Sequence, residues 1–578
     1  MVTLKINGIS VTVPEDYTIL QAAKEINVEI PSLCYLKDVN CIGSCRVCVV
    51  EVEERGRRRL VASCVYPVAE GMEVYTNTPS VRTSRRTTIE LILSTHHKKC
   101  LSCVRGNNCE LQKLAFDYGV DEDRFAQEEI KYEIDDLSPY IVRDNNKCIM
   151  CRRCTAACNH VQTVGAIGEI GRGYKVHIGC AFEKSMDESA CVGCGQCIVA
   201  CPVGALSEKS QIDDVWDAIA DPNKKVVVFT APSIRATLGE CFDMPVGTNV
   251  EGKMVAAIRR LGVDGVFNMD VTADLTIVEE ATELLERIDH EHGLPMFTSC
   301  CPGWVKFVEH QYPDFIQNLS TCKSPQQMFG AVLKTYYAQK NGIDPKDLFV
   351  VSIIPCTAKK FECRRPEENA FDFTDVDVSL TTRELAKMIK GAGLKFTDLK
   401  DEEFDDPFET GSGAGAIFGA TGGVMEAALR TAADILDGGS KKIDFKEVRG
   451  TDGIKEATYT LGGRKLRVAV ASGLGNARKI LDDIRSGERQ YDFVEIMACP
   501  GGCVNGGGQP VQGDSVRNYV DLKKLRAKAL YDADKKLKYR KSHLNPVIKM
   551  LYDEYFDAPG KHRAHRLLHT HYVKRNRF

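Results

Sequence analysis

The sequence predicts a multidomain protein of α+β and α/β class, in which small N-terminal domains precede a large α/β domain with parallel sheets. The chain has 578 residues, enough for about four domains that each bury a core. Of its 25 cysteines, 17 lie between Cys34 and Cys201. Strand-like and helix-like segments alternate after about residue 210. A cysteine-rich N-terminal part therefore precedes an α/β C-terminal part with few cysteines.

Charge and targeting signals narrow the function classes. Lys and Arg number 76 and Asp and Glu 80, a net charge of -4 that favours neither nucleic acid nor a membrane surface as partner. The N-terminus lacks an export signal, and no apolar run reaches the ~18 residues that span a bilayer. We therefore expect a cytoplasmic protein. Clustered cysteines in a reducing compartment are typical metal ligands, which favours iron-sulfur chemistry.

The first element, residues 1–79, is predicted to be a small sheet domain with a 2Fe-2S cluster. Apolar residues alternate over 2–6 and 10–13, and Asn7-Gly8 between them is a hairpin signal. Cys41 is expected to be a spare thiol, because using it would break a Cys-x2-Cys pair. The remaining cysteines follow a stretched plant-type 2Fe-2S spacing and are the predicted ligands: Cys34, Cys45, Cys48 and Cys64.

The second element, residues 80–125, carries three cysteines and so lacks one ligand for a 4Fe-4S cluster. The pattern is His96-x3-Cys100-x2-Cys103-x5-Cys109. If the preceding segment is helical, His96 lies one turn before Cys100 on the same face, whereas His97 faces elsewhere. From the residues alone, His96 can be a ligand or a structural histidine.

The third element, residues 126–209, contains two bacterial ferredoxin runs and is predicted to be a ferredoxin-like domain with two 4Fe-4S clusters. In such domains the fourth cysteine of each run binds the other cluster. Zinc is disfavoured, because zinc sites rarely interleave two four-cysteine runs. The first run ends in Asn159, where proline is usual. The predicted ligand sets are Cys148, Cys151, Cys154 and Cys201 for one cluster, and Cys191, Cys194, Cys197 and Cys158 for the other.

Beyond residue 210 the pattern predicts parallel sheets flanked by helices. A glycine run over 411–423 looks like a dinucleotide motif, but no strand is predicted before it, so we do not expect nucleotide binding. The basic tail is expected to be a structural arm, because its histidines match no compact metal motif. The predicted strands are Lys225 to Thr230, Leu348 to Ile354 and Leu466 to Ala471, and the predicted helices include Met254 to Leu261 and Thr276 to Ile288.

Three cysteine motifs in the back half resemble the signatures of the FeFe-hydrogenases. They are Thr298-Ser-Cys300-Cys301-Pro-Gly-Trp304, Pro355-Cys356-Thr-Ala-Lys-Lys360 and Met497-Ala-Cys499-Pro-Gly-Gly-Cys503. The resemblance covers essentially the whole chain and implies a two-lobed catalytic domain over 210–539 and a small-subunit-like segment over 540–578. It also implies an H-cluster, a 4Fe-4S cube joined to a diiron site with carbon monoxide, cyanide and azadithiolate. The implied cube ligands are Cys301, Cys356, Cys499 and Cys503, the last also bridging to the diiron site.

The resemblance assigns further residues. It favours His96 as the fourth ligand of its cluster. It implies that Lys359 offers its ammonium group to a cyanide ligand, as suits an anionic cofactor. Ile354 departs from the family pattern, which usually has methionine there. The other residues that the resemblance places around the diiron site are Pro232, Ser233, Gln326, Phe418 and Met497.

The implied function is a hydrogenase that reversibly reduces protons to dihydrogen, with electrons relayed through one 2Fe-2S and three accessory 4Fe-4S clusters. The implied proton relay consists of Cys300, Glu280, Ser320 and Glu283 and ends near Arg287 at the surface. The implied partners are ferredoxin or flavodoxin and hydrogenase maturation proteins. A non-catalytic electron-transfer, cluster-assembly or redox-sensing homologue is the alternative, which the presence of Cys300 disfavours. Membership of a pyridine-nucleotide-linked complex stays open.

Overall fold

A computed structural model describes residues 1–54, 56–106, 108–125, 130–371, 373–438 and 444–576. Residue 126, the predicted start of the third domain, lies outside these residues. Residues 577–578, the end of the predicted small-subunit-like segment, also lie outside them. Within the described ranges, no helix combines the length and the apolar composition needed to cross a lipid bilayer.

The N-terminal residues form a five-stranded mixed sheet with a short helix, Ile19–Glu25. Asn7 and Gly8 both have positive φ, 52° and 84°, as the predicted tight hairpin requires, so this prediction is confirmed. Thr18 caps the helix reciprocally with Gln21. In sheet order the strands are Ile9–Val13, Val2–Ile6, Glu73–Tyr75, Val49–Glu54 and Arg57–Ala62.

A helical segment follows, with helices Pro79–Leu93 and Glu110–Asp117 around a short turn at Cys100–Ser102. The condition under which His96 and Cys100 would share a helix face is not met, because the helix ends at Leu93. Ser94 and Thr95 donate their hydroxyls to the carbonyls of Leu91 and Ile92. Such local bonds compete with the helical pattern and suit a helix end.

Two small antiparallel pairs and two short helices form the next unit. The strand pairs are Ile141–Arg143 with Leu206–Glu208 and Gly168–Ile170 with His177–Gly179. The helices, Arg153–Ala156 and Gln196–Ala200, each begin inside a cysteine run. The two runs therefore occupy equivalent positions in a ferredoxin-like repeat.

The large domain contains two four-stranded sheets. The first sheet is fully parallel, with strand order Gly265–Asn268, Lys225–Thr230, Leu348–Ile353 and Val378–Leu380. The second has the order Met296–Phe297, Phe493–Met497, Arg464–Ser472 and Ile454–Leu461, and its last pair is antiparallel. The predicted α/β class with parallel sheets is confirmed, with one antiparallel edge strand added.

Buried helices pack around the two sheets. The predicted helices begin a few residues earlier than expected, at Glu251 and Asp270, because acidic residues in the first turn are favoured by the helix dipole although they break the apolar pattern. The α-helices of this part are Ile212–Ala220, Glu251–Arg259, Asp270–Asp289, Pro302–Gln311, Pro325–Val332, Ala338–Asn341, Lys359–Glu362, Thr382–Gly391, Gly413–Ala416, Gly423–Asp437, Leu474–Ser486, Asp514–Arg517, Leu522–Lys536, Pro546–Leu551 and His562–Leu568.

The glycine run near residue 411 serves helix packing. No strand occurs over 399–412, all of which are described, as the sequence predicted. A Cβ on Gly411 would lie 2.3 Å from Asp270 Cβ, and one on Gly415 would lie 2.4 Å from the Asp270 carbonyl oxygen. Glycine is required here because the segment crosses the Asp270–Asp289 helix at backbone distance.

Candidate metal centres

The four predicted 2Fe-2S ligands lie together in two loops, one before and one after the strand pair Val49–Glu54 and Arg57–Ala62. The Cys48 and Cys64 sulfurs are 3.3 Å apart, and the Cys45 amide donates to the Cys34 sulfur at 3.5 Å. Hydrogen bonds from the Cys45 and Cys64 thiols lower the pKa of Cys34 to about 2. Cys41 is exposed and its thiol donates to the Cys64 carbonyl. The four-sulfur set fits a small cluster without Cys41.

The two ferredoxin runs exchange their fourth cysteines. One enclosed cavity is lined by Cys148, Cys151, Cys154 and Cys201. A second is lined by Cys158, Cys191, Cys194 and Cys197. Each group therefore takes three sulfurs from one run and one from the other, the arrangement that the spacing predicted.

Equivalent residues of the two runs share an unusual backbone conformation. Met150 and Gly193 have φ of 52° and 68°, and Arg152 and Gly195 have φ of 63° and 68°. The amides of Met150 and Gly193 each donate to the first cysteine sulfur of their own run, at 3.4 and 3.5 Å. The left-handed residues thus turn the loop around its cavity so that an N–H points at sulfur.

Gly195 has a further reason to be glycine. A Cβ at this position would lie 2.5 Å from Thr357 Oγ1 and 2.8 Å from Gly507 Cα. These neighbours belong to the loops that carry Cys356 and Cys503. The ferredoxin-like unit therefore meets the large domain at backbone contact.

A third cavity is lined by His96, His97, Cys100, Cys103 and Cys109. Burial lowers the pKa of His96 to about 4, so its imidazole is neutral, the form that binds metal. Among the described residues, His96 Nδ1 is buried and accepts or donates no hydrogen bond. A buried, unpartnered nitrogen on a residue that lines the same cavity as three cysteines fits the missing ligand.

The four cysteines of the large domain come from three loops and converge. Cys301 precedes the helix Pro302–Gln311, Cys356 follows the strand Leu348–Ile353, and Cys499 follows the strand Phe493–Met497. Burial raises the pKa of Cys356 to about 12, and the neighbouring Cys301 adds to the shift. Burial and the charges of Cys301 and Cys356 likewise raise the pKa of Cys503. Burial and mutual repulsion thus keep the thiols neutral without a metal, and an iron-sulfur cube, whose binding releases the thiol protons, fits this donor set.

The residues predicted around the diiron site lie near these cysteines. Pro232 and Ser233 open a turn after the strand Lys225–Thr230, and Ser233 Cβ would lie 2.9 Å from a Cβ on Gly419, the residue after Phe418. Met497 Sδ would lie 3.0 Å from a Cβ on Gly502, the residue before Cys503. All the predicted residues of this group are buried: Pro232, Ser233, Gln326, Lys359, Phe418 and Met497.

Lys359 is held by a carboxylate that the sequence reasoning missed. Its Nζ donates to both oxygens of Glu362, at 2.9 and 2.7 Å, and to the Cys300 carbonyl at 3.1 Å. Burial opposes the charge, but Glu362 outweighs it and raises the pKa of Lys359. Glu362 also accepts from Gln326 at 3.0 Å. Its three-residue spacing from Lys359 on a helix is the signal that could have identified it.

Gln509 is a second missed residue. Its amide donates to the Cys503 carbonyl at 3.1 Å and to Ser233 Oγ at 3.4 Å. Its carbonyl oxygen accepts from Thr237 and Thr382. The Gln509 side chain therefore connects the loop of Cys503 to Ser233 in the predicted diiron pocket. In the sequence, the signal for Gln509 is the glycine run that follows Cys503 and precedes it.

The predicted relay residues form a sequence of close groups. Burial and, next, the Glu280 charge raise the pKa of Cys300 well above its usual value. Burial and then the Glu283 charge raise the pKa of Glu280 to about 8. Ser320 donates to Glu283 at 2.7 Å and also hydrogen-bonds Glu280. Burial disfavours ionisation of Glu283, but Arg287 and Ser320 outweigh it and lower its pKa.

The expectation that the relay ends at a surface arginine is wrong. Arg287 is only 7% exposed, because its guanidinium group is occupied inside the protein. It donates to Glu283 at 2.6 Å and to the carbonyls of Gly293 and Leu319 at 3.0 and 2.8 Å. Arg287 therefore fixes a loop and a carboxylate at this end of the relay.

Hydrogen bonds connect the metal centres in series. Asn40 donates to the carbonyls of Cys34 and Cys151, at 2.8 and 3.1 Å. The Glu110 amide, next to Cys109, donates to the carbonyl of Pro202, next to Cys201, at 3.3 Å. The Cys499 thiol contacts the Cys194 carbonyl at 3.8 Å. The cysteine groups that contain Cys34 and Cys109 thus both adjoin the ferredoxin cavity of Cys151 and Cys201. The other ferredoxin cavity, that of Cys194, adjoins the large domain at Cys499.

Known families match the chain along its length. Residues 224–507 match the iron only hydrogenase large subunit, C-terminal domain, and residues 520–575 match the iron hydrogenase small subunit. Residues 1–79 match a 2Fe-2S iron-sulfur cluster binding domain. Residues 85–124 match the NADH-ubiquinone oxidoreductase-G iron-sulfur binding region, and residues 138–207 match the ferredoxin-like domain of NADH-quinone oxidoreductase subunit 3.

Individual proteins are similar over the same extent. The chain is 50% identical to the NADP-reducing hydrogenase subunit HndD of Solidesulfovibrio fructosivorans over 590 residues, covering 100% of both. It is 45% identical to iron hydrogenase 1 of Clostridium pasteurianum, covering 99% of this chain and 100% of the relative. The structure of the apo FeFe-hydrogenase HydA1 from Chlamydomonas reinhardtii aligns with a TM-score of 0.57 and 43% identity, covering 63% of this chain and 99% of that one.

Proposed function

The chain belongs to the FeFe-hydrogenase family, and on that premise we propose how its residues interconvert protons, electrons and dihydrogen. The observation that carries the proposal is the position of Cys300, a thiol next to Cys301 and in electrostatic contact with Glu280. A protein that only carries electrons does not need a proton-carrying thiol beside the cluster ligand Cys301.

We assign the H-cluster cube to Cys301, Cys356, Cys499 and Cys503, whose sulfurs would hold it, and Cys503 would also hold the diiron site. Support comes from the convergence of the four sulfurs and their mutually raised pKa values. When bound, the H-cluster supplies the redox centre at which protons and electrons combine. Lys359, held by Glu362, would present its charge toward a cyanide ligand while its other contacts keep it in place.

We assign the accessory clusters to the groups that the cavities and close sulfurs bring together. The 2Fe-2S cluster takes Cys34, Cys45, Cys48 and Cys64, and the remaining clusters are three of the 4Fe-4S type. The first takes His96, Cys100, Cys103 and Cys109, and the two in the ferredoxin-like unit take the exchanged sets described above. The proposed domains are 1–79, 80–125, 126–209 and 210–539, with a small-subunit-like segment at 540–578.

In the proposed electron path, electrons enter at either of two N-terminal clusters and leave the ferredoxin-like unit for the cube. The contacts of Asn40 and Glu110 bring the 2Fe-2S domain and the histidine-containing domain to the cluster of Cys148, Cys151, Cys154 and Cys201. The contact between Cys194 and Cys499 leads from the second ferredoxin cluster to the cube. The interleaved cysteines join the two ferredoxin clusters in between.

The proposed proton path uses two carboxyl groups with opposite pKa shifts. Glu280 carries a proton at neutral pH, because its pKa is raised to about 8, and Glu283 is ionised. Groups whose environments separate their pKa values in this way suit a donor and an acceptor. Ser320 hydrogen-bonds both and passes the proton between them, and Cys300 delivers it from Glu280 to the diiron site.

We propose ferredoxin or flavodoxin as the electron partner and the hydrogenase maturation proteins as the source of the diiron site. Identity to an NADP-reducing hydrogenase subunit favours, as a second candidate, a role in a pyridine-nucleotide-linked complex. Purification from native cells distinguishes the two. A single chain that evolves dihydrogen with reduced ferredoxin supports the first, and copurification of nucleotide-binding subunits supports the second.

The cofactor content gives a direct test. The 19 cysteines and one histidine assigned here predict one 2Fe-2S cluster, three 4Fe-4S clusters and the H-cluster, or 20 iron atoms per chain. Iron analysis measures this number, and infrared spectroscopy measures the metal carbonyl and cyanide bands. A matured protein without these bands would support only an electron-transfer role.

A further inference from the structure

The proposed relay has no proton donor at its outer end. Arginine keeps its proton at any pH a protein experiences, so Arg287 cannot deliver one to Glu283. Cys322 contacts Glu283 at 3.6 Å, but it is 1% exposed and burial raises its pKa well above the usual value. Neither neighbour exchanges protons with solvent.

Among the residues that the structure describes, His569 is a further titratable group close to this end of the relay. Its Nδ1 hydrogen-bonds Thr321 Oγ1 at 2.7 Å, and that hydroxyl donates to Glu283 at 3.3 Å. On the other side, its Nε2 lies 3.2 Å from Glu279 Oε2. A nitrogen of His569, the Cys322 sulfur and a Glu283 oxygen all lie within 4.8 Å of one another.

The contacts of His569 are those of a histidine placed for acid-base work. A carboxylate on one ring nitrogen orients the imidazole, while a hydroxyl occupies the other nitrogen. Glu279 is itself fixed, because it accepts from the Gly560 amide at 2.7 Å and from the Tyr552 hydroxyl. The C-terminal segment therefore supplies both the histidine and the contacts that hold its partner.

His569 also lines a cavity of about 240 Å³ whose walls reach the surface. Glu286, His292 and His565 line the same cavity and are exposed. The rings of His565 and His569 stack with centroids 4.6 Å apart. Solvent protons thus have access to this cavity.

We propose that His569 is the proton-relay residue that connects solvent to Glu283, an inference that rests on the proposed relay. During dihydrogen formation His569 gains a proton from the cavity and gives its Nδ1 proton to Thr321 Oγ1. The Thr321 hydroxyl proton passes at the same time to the Glu283 carboxylate. One N–H bond forms and one breaks on the imidazole, and no electron moves. The reverse sequence releases protons during dihydrogen oxidation.

The chain contains a matched control for this pair. His543 also bonds a threonine hydroxyl through Nδ1, that of Thr431 at 3.3 Å, and a carboxylate through Nε2, that of Asp434 at 3.0 Å. It lies on the same C-terminal segment, but within the described part of the chain its hydrogen bonds go to Thr431 and Asp434 and to none of the relay residues. Substitutions at His543 and Thr431 report the structural cost of losing such a pair.

The test compares His569→Gln and Thr321→Val with His543→Gln and Thr431→Val in the matured full-length enzyme. We expect the first two variants to retain iron and carbonyl bands, to lose dihydrogen evolution by about tenfold or more, and to show a larger solvent deuterium isotope effect. Because the two groups act in series, the double variant should be no slower than the slower single variant. Imidazole in the buffer should restore activity to His569→Ala.

The outcomes are distinguishable from failure of the relay as a whole. Full activity in His569→Gln and Thr321→Val, with Glu283→Gln inactive, overturns the role of His569 and leaves the relay intact. An active Glu283→Gln overturns the relay itself. Equal losses in the control pair, without a change in the isotope effect, show that the cost is structural and also overturn the proposal.

Discussion

Replacing Glu280 by glutamine removes one ionisable proton from the relay and changes little else. The amide keeps the size of the side chain and can still hydrogen-bond Ser320. The pKa of about 8 means that ionising Glu280 at pH 7 costs roughly 1 kcal/mol, so the parent group gains and loses its proton near the working pH. Glutamine cannot do so, and we expect a loss of turnover of about 10²–10⁴-fold.

The same substitution should make stability less dependent on pH. The folded-state pKa is raised from 4.5 to about 8, so the protonated carboxyl stabilises the fold fully below pH 4.5 and this contribution disappears as pH rises to 8. The shift corresponds to roughly 5 kcal/mol. The thermal midpoint of Glu280→Gln should therefore fall less between pH 5 and pH 8 than that of the parent.

The assay is dihydrogen evolution with a reduced dye, with the infrared spectrum recorded on the same sample. Glu291→Gln, at an exposed position beyond the same helix, makes the same carboxyl-to-amide replacement and should keep the parent rate. The reasoning fails if Glu280→Gln turns over like the parent while its carbonyl bands are present. A thermal midpoint of Glu280→Gln that falls as steeply with pH as that of the parent would contradict the raised pKa of Glu280.

Cys300→Ala should keep its iron and carbonyl bands yet lose nearly all turnover, whereas Cys301→Ala should damage the H-cluster; infrared spectra and rates measured together separate these failures. His96→Ala should disturb one 4Fe-4S signal in electron paramagnetic resonance and His97→Ala should not, because the unpartnered buried nitrogen belongs to His96. Gly195→Ala should lower the stability by about 3 kcal/mol through backbone strain and overpacking, read as a lower thermal midpoint.

Each of these predictions has its own check. Gly342→Ala has the same left-handed strain, with φ of 65°, but its Cβ would meet no atom within 4 Å, so it should cost only about 1 kcal/mol. Equal midpoints for the two glycine variants would contradict the overpacking argument. Cys300→Asp should retain part of the activity, because a carboxyl group also carries protons. Loss of a cluster signal in the His97 variant alone would assign the ligand to that histidine.

Local signals in the sequence predicted local structure well. Asn7-Gly8 specified the hairpin through its positive φ values, and the two ferredoxin runs specified their exchange through spacing. The antiparallel edge strand Ile454–Leu461 could not be predicted, because its alternating pattern does not reveal the direction of its partner. The end of the helix at Leu93 depends on two hydroxyl bonds that no apolar periodicity reports.

The site was predictable where ligands cluster in the chain and less so where partners come from far away. Family resemblance led to Cys300 and Glu280, whereas the burial of Arg287 depends on carbonyls of a separate loop. Nothing near Glu283 in the sequence points to His569, which is 286 positions away and was expected to belong to a structural arm. Such contacts are set by the packing of the C-terminal segment alone.

The exchange of cysteines between the two ferredoxin runs has a consequence for how the protein is made. The group of Cys148, Cys151 and Cys154 is completed by Cys201, which a ribosome adds 47 residues after Cys154. On the assigned ligand sets, a nascent chain that has exposed only the first run holds three ligands of one cluster and one ligand of the other, Cys158, so neither set is complete. Cluster loading must therefore wait until both runs have emerged and paired, which ties the timing of metal insertion to translation of the whole unit.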